Sequence, residues 1–518
     1  MPLFRRSGAL PFFLLVLSVS ALAQETAPPP PAVSVDGDRL VDAEGRTLFL
    51  RGMNAGSKSP ENFHAPWQGP EDFRRLRDWG MTAVRYMIFW SAIEPAPGQY
   101  SEEYLQGVDR VVSWAADAGL HVILDMHQDL YGPAIPGGDG APAWATLDDG
   151  LPHRTLGSIW STAYLVSPKI HRAFDNFWNN APGPDGVGIQ DHFALAWRHV
   201  AQRYRNNPTV IGFDILNEPF VGSDIRRIAW AVWMALPDLI RGVEMPRTPA
   251  AVMESLKEEP YPGWLLTAAG DPQRYERFLA AVAPAMQAFE RRALLPMYQR
   301  VHRAVREVHP TGIFFLEPCV LANSGAPSSI EPLVDDQGRR DPLQAYMPHF
   351  YDIVLDTALH HEPSPERLAI MMRNRVAEAR RMGMPLLIGE WGAFYGDARC
   401  VGAAAMMARF LAENTVGEFY WDYHRGIEQG AFFPSLSRPS PLRVGGFPVG
   451  IRMAESPGGM QVEWTEETAP APASEFHLPE GWVMEEAASG GKWTNAGTVS
   501  VPPAEKAGVR KVTLRPAP

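Results

Sequence analysis

Two glutamates follow apolar segments with the pattern of β-strands, and together they could carry out glycoside hydrolysis. Glu218 follows residues 213–217, and Glu390 follows residues 386–389. Cleavage of a glycosidic bond needs one acid that protonates the leaving oxygen and a second carboxylate that attacks the anomeric carbon. Because the two residues lie far apart in the chain, this chemistry requires a fold that brings the two strand ends together.

Further polar and aromatic side chains lie at or near the ends of the predicted strands, at the same level. They are Arg85, His127, Asp129, Asn217, Glu317, His349, Tyr351 and Trp421. In a barrel of parallel strands, the carboxyl ends of the strands form the active site. One such residue would mean little, but acids, an amide, imidazoles and an indole at successive strand ends predict one shared site.

The elements that would position these residues alternate between strands and helices. The predicted strands are residues 47–53, 83–89, 121–126, 210–216, 312–316, 345–351, 386–389 and 418–420. Segments with helical periodicity separate them, such as residues 71–79, 103–118, 192–204 and 297–308. Eight such units predict an α/β fold, a (β/α)8 barrel. The first strand is not followed by a glycine-rich phosphate-binding motif, which argues against a nucleotide-binding fold.

The composition changes near residue 439, where Pro, Gly and Ser accumulate and helical periodicity ends. We predict a catalytic barrel over residues 35–438 and a C-terminal antiparallel β-sandwich over residues 439–518. We expect the sandwich to brace the barrel rather than to bind a ligand of its own.

The first residues have the pattern of a secretory signal peptide. Arg5 and Arg6 precede an apolar run at residues 12–17, and small residues follow up to Ala23. We predict a signal peptide over residues 1–23, cleaved after Ala23, and a Pro-rich linker over residues 24–34. The protein is therefore expected to be exported, either to a periplasm or to the medium.

Composition and charge narrow the class of partner. The chain has 47 Lys and Arg residues against 59 Asp and Glu residues, a formal net charge of −12 without a basic block, so no nucleic-acid partner is expected. Cys319 and Cys400 are the only cysteines. They could pair in an oxidising compartment, but we favour two separate thiols packed near strand ends.

The strand ends resemble those of glycoside hydrolase family 5, a retaining family of clan A barrels. The resemblance rests on Asn217-Glu218-Pro219 and Gly389-Glu390-Trp391-Gly392, and it covers residues 35–440. It implies that Glu218 is the acid/base and that Glu390 is the nucleophile. The other active-site positions that it implies are Arg85, His127, His349, Tyr351 and Trp421.

Longer motifs are similar to those of the endoglycoceramidases within that family. They are LDMHQD at residues 124–129, GAPAWAT at 140–146, DGLP at 149–152 and RAFDNFW at 172–178. This resemblance implies release of an intact oligosaccharide from ceramide. The sugar contacts that it implies are Lys58, His127, Asp129, Trp178, Asn217, Tyr351 and Trp421. No cofactor or metal is expected, because the spacing of the histidines matches no zinc motif and the chemistry needs no metal.

Two segments depart from the endoglycoceramidase pattern, and they leave the sugar specificity open. Glu317 adds a third carboxylate, which could bind a different sugar or pair with a cation; we favour the cation. The residues 422–424 after Trp421 are Asp, Tyr and His, where small polar residues are expected.

Charge should separate the roles of the two glutamates. The negative charge of Glu390 favours the protonated form of Glu218. Arg85 and Tyr351, as donors to Glu390, are expected to keep Glu390 ionised. A retaining mechanism further requires the two carboxyl groups to lie about 5–5.5 Å apart.

A long insert at about residues 221–293 follows the strand that carries Glu218, so it should overhang the mouth of the site. Its first part is strongly apolar between Arg226 and Arg241. It could be a lipid-facing lid that helps to extract a membrane glycolipid, or a helical hairpin packed on the barrel.

The sequence thus favours an exported, monomeric glycosidase that acts on glycosphingolipids and contacts a membrane or micelle surface peripherally. Two alternatives remain. One is a β-glucosidase or endoglucanase that acts on soluble glucans, glucosylceramide or steryl glucosides, and the other is a non-catalytic barrel that binds carbohydrate or lipid.

Overall fold

The structure is a computed structural model that describes residues 30–517, apart from residues 31, 158, 247, 249–250, 252–253, 256–261, 454–458, 468–470, 486–491 and 494–496. The predicted signal peptide, residues 1–23, lies outside the described residues, as does most of the predicted linker over residues 24–34.

Three short strands precede the barrel: β1 (Val33–Asp36), β2 (Arg39–Asp42) and β3 (Thr47–Leu48). Eight parallel strands then form the barrel: β4 (Leu50–Ala55), β5 (Ala83–Ile88), β6 (His121–Met126), β7 (Val210–Asp214), β8 (Ile313–Leu316), β9 (Gln344–Tyr346), β10 (Leu387–Gly392) and β11 (Gly417–Trp421). They pair in the order β10-β11-β4-β5-β6-β7-β8-β9. Parallel bridges between Tyr346 and Leu386 and between Phe350 and Trp391 join the two ends of this sheet. The predicted (β/α)8 barrel is confirmed.

Helices cover the outside of the barrel, so every residue of β4 to β10 is buried. The helices are α1 (Pro70–Asp78), α2 (Trp90–Ile93), α3 (Glu102–Asp117), α4 (Ala163–Val166), α5 (Pro168–Trp178), α6 (Ile189–Tyr204), α7 (Ile225–Leu239), α8 (Gly263–Ala268), α9 (Pro272–Phe289), α10 (Leu295–Arg306), α11 (Pro365–Met382), α12 (Val401–Asn414) and α13 (Phe433–Leu436). Local signals set their ends: the Ser364 side chain caps the start of α11, and Gly383, at φ 58°, ends it. Among the described residues, no helix combines the length and apolarity needed to span a membrane.

The C-terminal strands are antiparallel, as predicted. They are β12 (Ser440–Val444), β13 (Phe447–Met453), β14 (Met460–Glu466), β15 (Ser474–His477), β16 (Trp482–Glu485), β17 (Lys492–Trp493), β18 (Thr498–Val501) and β19 (Gly508–Pro516). One sheet has the order β1-β2-β3-β12-β15-β18-β17 and the other has the order β13-β14-β19-β16. Buried Trp464 and Phe476, one from each sheet, pack together in a shared core. The predicted β-sandwich is confirmed.

The first strands differ from the sequence-based assignment, because the predicted strand at residues 47–53 is divided at Phe49. The Phe49 amide donates to the Leu442 carbonyl of β12 at 3.0 Å, and β3 pairs with β12, so only β4 enters the barrel. The segment from β1 to β3, which we assigned to the barrel region, is therefore part of a C-terminal sheet. The boundary at residue 439 stays a prediction.

The insert forms helices that pack on the barrel. α7 and α9 contact each other, and α9 continues through the π-helical segment Glu290–Leu294 into α10. The Tyr275 hydroxyl of α9 donates to the Ser324 carbonyl at 2.7 Å, which fastens the insert to the loop after β8.

Cys319 and Cys400 are both free and both buried. The prediction of two separate thiols is confirmed.

Candidate active site

Arg85 organises the base of the site from the interior of β5. It is fully buried and lies within 3.1 Å of four carboxylates, those of Asp125, Asp214, Glu317 and Glu390. A buried cation requires such compensation, because removing a charge from water without a partner is very unfavourable. Burial alone would lower the pKa of Arg85, but these carboxylates raise it well above its usual value.

Glu390 is held by two of the predicted donors. Arg85 Nη1 donates to Oε1 at 2.9 Å, and the Tyr351 hydroxyl donates to Oε2 at 3.0 Å. One carboxylate oxygen of Glu390 and one of Glu218 lie within 4.8 Å of each other. This spacing fits the short separation that a retaining glycosidase needs, and it is below the 6.5–9.5 Å range typical of inverting enzymes.

The charge state of Glu390 differs from our expectation. Burial raises its pKa to about 7, and the nearby charge of Glu218 acts in the same direction. The positive charges of His349 and Arg85 oppose the shift but do not cancel it. Glu390 therefore becomes ionised near neutral pH, even with Arg85 and Tyr351 as donors, whereas we expected these donors to keep it ionised.

Glu218 lies opposite, on the turn that follows β7. Its backbone has φ 46°, a left-handed conformation that is unfavourable for residues other than glycine. Its Oε1 accepts hydrogen bonds from His349 Nδ1 at 2.8 Å and from Asn323 Nδ2 at 3.1 Å. The side chain is 17% exposed, so this carboxyl group is open to the cavity.

His349 is fully buried between three carboxylates. Its Nδ1 contacts Glu218 as above and lies 3.5 Å from Glu390 Oε2, while its Nε2 lies 3.2 Å from Glu317 Oε1. Burial alone would lower the pKa of His349, but the charges of Glu317 and Glu390 raise it well above its usual value. The imidazolium form, with a proton on each nitrogen, suits this environment.

A second polar group lies beside Trp421. His127 stacks on the Trp421 indole with ring centroids 5.3 Å apart, and its Nδ1 contacts Asp125 Oδ2 at 2.8 Å. Lys58 forms an ion pair with Asp129, and its ammonium lies 5.0 Å from the centre of a Trp421 ring. An aromatic face surrounded by charged hydrogen-bonding groups is an arrangement that suits a sugar ring.

These residues surround one cavity of about 1140 Å³ at the carboxyl ends of the strands. The predicted residues that line it are Lys58, His127, Asp129, Asn217, Glu218, Tyr351, Glu390 and Trp421. Arg85 and His349 lie directly beneath and hold the carboxylates. The structure thus brings together ten of the eleven site residues that the family resemblance implied.

Trp178 is the exception, and its predicted sugar contact requires correction. Its indole nitrogen donates to the Phe220 carbonyl at 2.9 Å, and its ring packs against Phe289 and Phe177. Trp178 therefore supports the cavity wall from behind. The motif that contains it resembles that of the endoglycoceramidases, but the motif does not show which side of α5 faces the substrate.

Glu317, the third carboxylate that departs from the endoglycoceramidase pattern, pairs with a cation, as we favoured. Its Oε1 accepts from Arg85 Nη2 at 3.0 Å, and its side chain is only 1% exposed. It does not line the cavity, so it is not placed to bind a sugar.

Several further residues contribute to the site and were not predicted from the sequence. Asp125 and Asp214 point from strand interiors to Arg85, and Asn54 Oδ1 also accepts from Arg85 at 2.8 Å. Polar residues inside otherwise apolar strands were the available signal for all three. Asn323 lies in the short 3-10 helix Val320–Ser324 after β8, where no sequence pattern indicated a role.

Three clusters of described residues have the donor types of metal ligands; His360, Asp397 and Cys400 form one that does not line the cavity, and the other two lie at the site. Of these two, Glu218, His349 and Glu390 form one, and His127, Asp129 and Asp139 form the other. In the first, the acids already bind His349 and Arg85, and in the second Lys58 lies among the carboxylates. The arrangement is that of a hydrogen-bonded catalytic site, and the expectation that no metal is needed stays a prediction.

Comparison with known proteins agrees with this geometry. The family model for cellulase (glycosyl hydrolase family 5) matches residues 41–426. Endoglycoceramidase I of Rhodococcus hoagii is 26% identical over 489 residues, which cover 91% of this chain and 85% of that protein. The solved structure of endo-glycoceramidase II from Rhodococcus sp. in complex with a cellobiose-like imidazole has a TM-score of 0.70 at 28% identity, covering 93% of this chain and all of that one.

Another relative is named for a different activity. A glucosylceramidase of Aspergillus fumigatus is 32% identical over 244 residues, which cover 36% of this chain and 32% of that protein.

The barrel, the paired carboxylates and the family match together define a glycoside hydrolase, and the chain belongs to glycosyl hydrolase family 5. Within that family, it is similar over nearly its whole length to the endoglycoceramidases. A non-catalytic role is not supported, because both carboxylates and their donors are in place.

Proposed function

We propose that the protein is a retaining glycosidase that releases the intact glycan of glycosphingolipids from ceramide. The observation that carries the proposal is one cavity with two kinds of surface. Facing carboxylates, Trp421 and Lys58 form its floor, and apolar side chains of the insert form one wall. The endoglycoceramidases named above support the same substrate class.

In the first half of the reaction, ionised Glu390 attacks the anomeric carbon of the sugar that is bonded to ceramide. The bond to the ceramide oxygen breaks, and Glu218 gives that oxygen its proton. Asn217 lines the cavity beside Glu218 and contributes to sugar binding. The glycan is now an ester of Glu390, and ceramide leaves as the free alcohol.

In the second half, Glu218 takes a proton from water, and the water oxygen attacks the anomeric carbon. The ester bond breaks, which returns Glu390 as a carboxylate and releases the glycan with its original β configuration. Two inversions at the same carbon give this retention, and the close approach of the two carboxylates supports it.

The apolar wall suits the ceramide part of such a substrate. Side chains of α7 and α9 line the cavity next to Glu218, namely Ile228, Val232, Phe278, Val282 and Met286. Each methylene group that moves from water to an apolar surface contributes about 0.8 kcal/mol. An acyl or sphingoid chain therefore gains more from this wall than a second sugar would.

The outer face of α7 is also apolar, and we propose that it rests on a membrane or micelle. Trp230, Trp233 and Met234 are 65%, 60% and 62% exposed, while Ile228 on the same helix is buried towards the cavity. Arg226 and Arg227 are exposed at the start of the helix, where they can meet lipid phosphates. A helix that is apolar on both faces would link the lipid surface to the cavity.

Product analysis tests the substrate assignment. Ganglioside-type oligosaccharide–ceramide and plain glucosylceramide would be supplied separately in mild detergent, with the Glu390→Gln variant as the inactive control. Release of an intact oligosaccharide together with ceramide supports the proposal. If neither lipid is cleaved while an aryl β-glucoside is, the catalytic pair stands but the ceramide assignment fails.

The partial match to glucosylceramidase favours one alternative, an enzyme that removes a single glucose from ceramide. Cleavage of glucosylceramide without release of the longer oligosaccharide would select this alternative. From the predicted signal peptide we further propose that the enzyme acts outside the cytoplasm. Amino-terminal sequencing of the purified mature protein would test cleavage after Ala23.

A further inference from the structure

Glu317 lies outside the cavity but contacts three parts of the catalytic machinery. Its Oε2 accepts the backbone N–H of Glu218 at 3.0 Å. Its Oε1 accepts from Arg85 Nη2 at 3.0 Å and lies 3.2 Å from His349 Nε2. A partner for Arg85 alone would need none of the contacts with Glu218 or His349.

We propose that Glu317 is a positioning residue that fixes the backbone of the acid/base and stays ion-paired with protonated His349 through both halves of the reaction. This inference rests on the retaining mechanism proposed above. Glu317 forms no bond with the substrate and exchanges no proton with it.

The contact with the backbone has a clear physical need. Glu218 adopts φ 46°, which is unfavourable for a side chain with a Cβ atom. A charge-assisted hydrogen bond from its N–H to a carboxylate stabilises that conformation, because such bonds are stronger than neutral ones. The carboxyl group of Glu218 is thereby aimed at the cavity and at the donors His349 and Asn323.

The contact with His349 becomes most important in the covalent intermediate. Glu317 and Glu390 both favour the protonated imidazole in the free enzyme. Once Glu390 carries the glycan as an ester, it has lost its negative charge, and Glu317 is the carboxylate that remains beside His349 Nε2. A charged His349 then stabilises the Glu218 carboxylate, which must act as the base in the second half.

Pre-steady-state kinetics separates this role from plain structural support. The variants are Glu317→Gln, which removes the charge with little change of shape, and Tyr298→Phe as the matched control. The Tyr298 hydroxyl donates to the Glu317 backbone carbonyl at 3.1 Å, so the control removes a buried hydrogen bond at the same residue but keeps the carboxylate. The substrate is 2,4-dinitrophenyl β-lactoside, whose leaving group needs no acid.

For Glu317→Gln we expect formation of the intermediate at close to the wild-type rate and a steady-state kcat lower by on the order of 10- to 100-fold, part of the effect of a positioned acid/base. Azide, which attacks the intermediate without a base, should restore turnover of Glu317→Gln and leave Tyr298→Phe unchanged. A kcat within about threefold of wild type, or a loss that azide does not relieve, would overturn the proposal.

A direct measurement covers the case in which Glu317→Gln does not fold. In wild-type enzyme trapped with a 2-deoxy-2-fluoro lactoside, the nitrogen chemical shifts of His349 report its protonation. A doubly protonated ring at pH 7 supports the inference, and a neutral ring contradicts it. If wild type forms no covalent adduct at all, the proposed retaining function fails instead.

Discussion

The floor of the cavity and its insert wall are built in opposite ways. The floor is a network of buried charges, in which Arg85 and His349 neutralise carboxylates from several strands. The wall is two helices that offer Ile228, Val232 and Met286 to the same cavity and expose tryptophans to the outside. Buried charges tolerate almost no displacement, whereas apolar contacts are non-directional. Under the proposed function, the chemistry depends on fixed positions in the barrel, and a peripheral addition handles the lipid.

The largest expected effect lies in the floor. Glu390→Gln keeps the shape of the side chain but removes the proposed nucleophile, so kcat should fall by at least about 10⁴-fold on every substrate. The matched control is Glu290→Gln, because Glu290 is also buried but bonds to Ser328 and Ser329 away from the cavity. Steady-state assays with an aryl lactoside measure both. Comparable losses in the two variants would mean that buried carboxylates matter here only for folding.

The pH dependence sharpens the account of the floor. Burial raises the pKa of Glu390 to about 7, and only its ionised form can attack. On a soluble aryl glycoside, kcat/KM should therefore fall about tenfold per unit as the pH drops below 7. Tyr351→Phe removes a donor to the carboxylate and should move this acidic limb to higher pH. An acidic limb near the ordinary glutamate value would contradict the assigned environment.

Substitutions on the outer face of the insert wall should impair the cleavage of membrane-borne glycolipid but not of a soluble glycoside. Replacement of Trp230, Trp233 and Met234 by Ala should lower activity on vesicle-borne glycolipid about tenfold or more, since each large side chain contributes roughly 1.5–3 kcal/mol when buried. Activity on the aryl lactoside should not change. The control is Val449→Ala with Val509→Ala, which removes exposed apolar side chains from the C-terminal sheet. Equal losses on both substrates in the α7 variant would show that α7 only supports the fold.

The smallest effect on KM is expected for Trp178, which lies behind the cavity wall. Trp178→Phe should leave KM for the aryl lactoside within about twofold, because the ring lies outside the cavity and only one hydrogen bond is lost. Trp421→Phe, which alters the cavity floor, should raise KM clearly more. Initial rates measured over a range of aryl lactoside concentrations give the KM of both variants and show which tryptophan contributes to substrate binding. A larger effect at Trp178 than at Trp421 would restore the sugar contact that the sequence suggested.

The site residues that lie at strand ends could be predicted from the sequence. Glu218 and Glu390 each follow an apolar run, and a closed barrel leaves few places for such residues. The network beneath them was less accessible, because the partners of Arg85 come from strands that are remote in sequence. Asp125 and Asp214 stand out as acids inside apolar strands, but that pattern does not show that both of them bind Arg85.

The differences in the fold have equally local causes. Residues 47–53 form a single predicted strand, but β3 pairs with β12 and β4 pairs with β5. Pairing with a strand nearly 400 residues away cannot be inferred from either segment alone. The insert shows the same limit: its apolar content predicted both a lid and a packed hairpin, and its helices pack on the barrel while lining the cavity.

The measurement that tests the central claim most directly is proton NMR of the sugar released from lactosylceramide in mixed micelles, recorded during the first minutes. The claim is that the charged floor and the apolar wall act on one glycolipid by a double displacement at Glu390. We expect intact lactose that appears first as the β-anomer. Initial release of the α-anomer would contradict the double displacement, and stepwise release of galactose and glucose would contradict cleavage at ceramide.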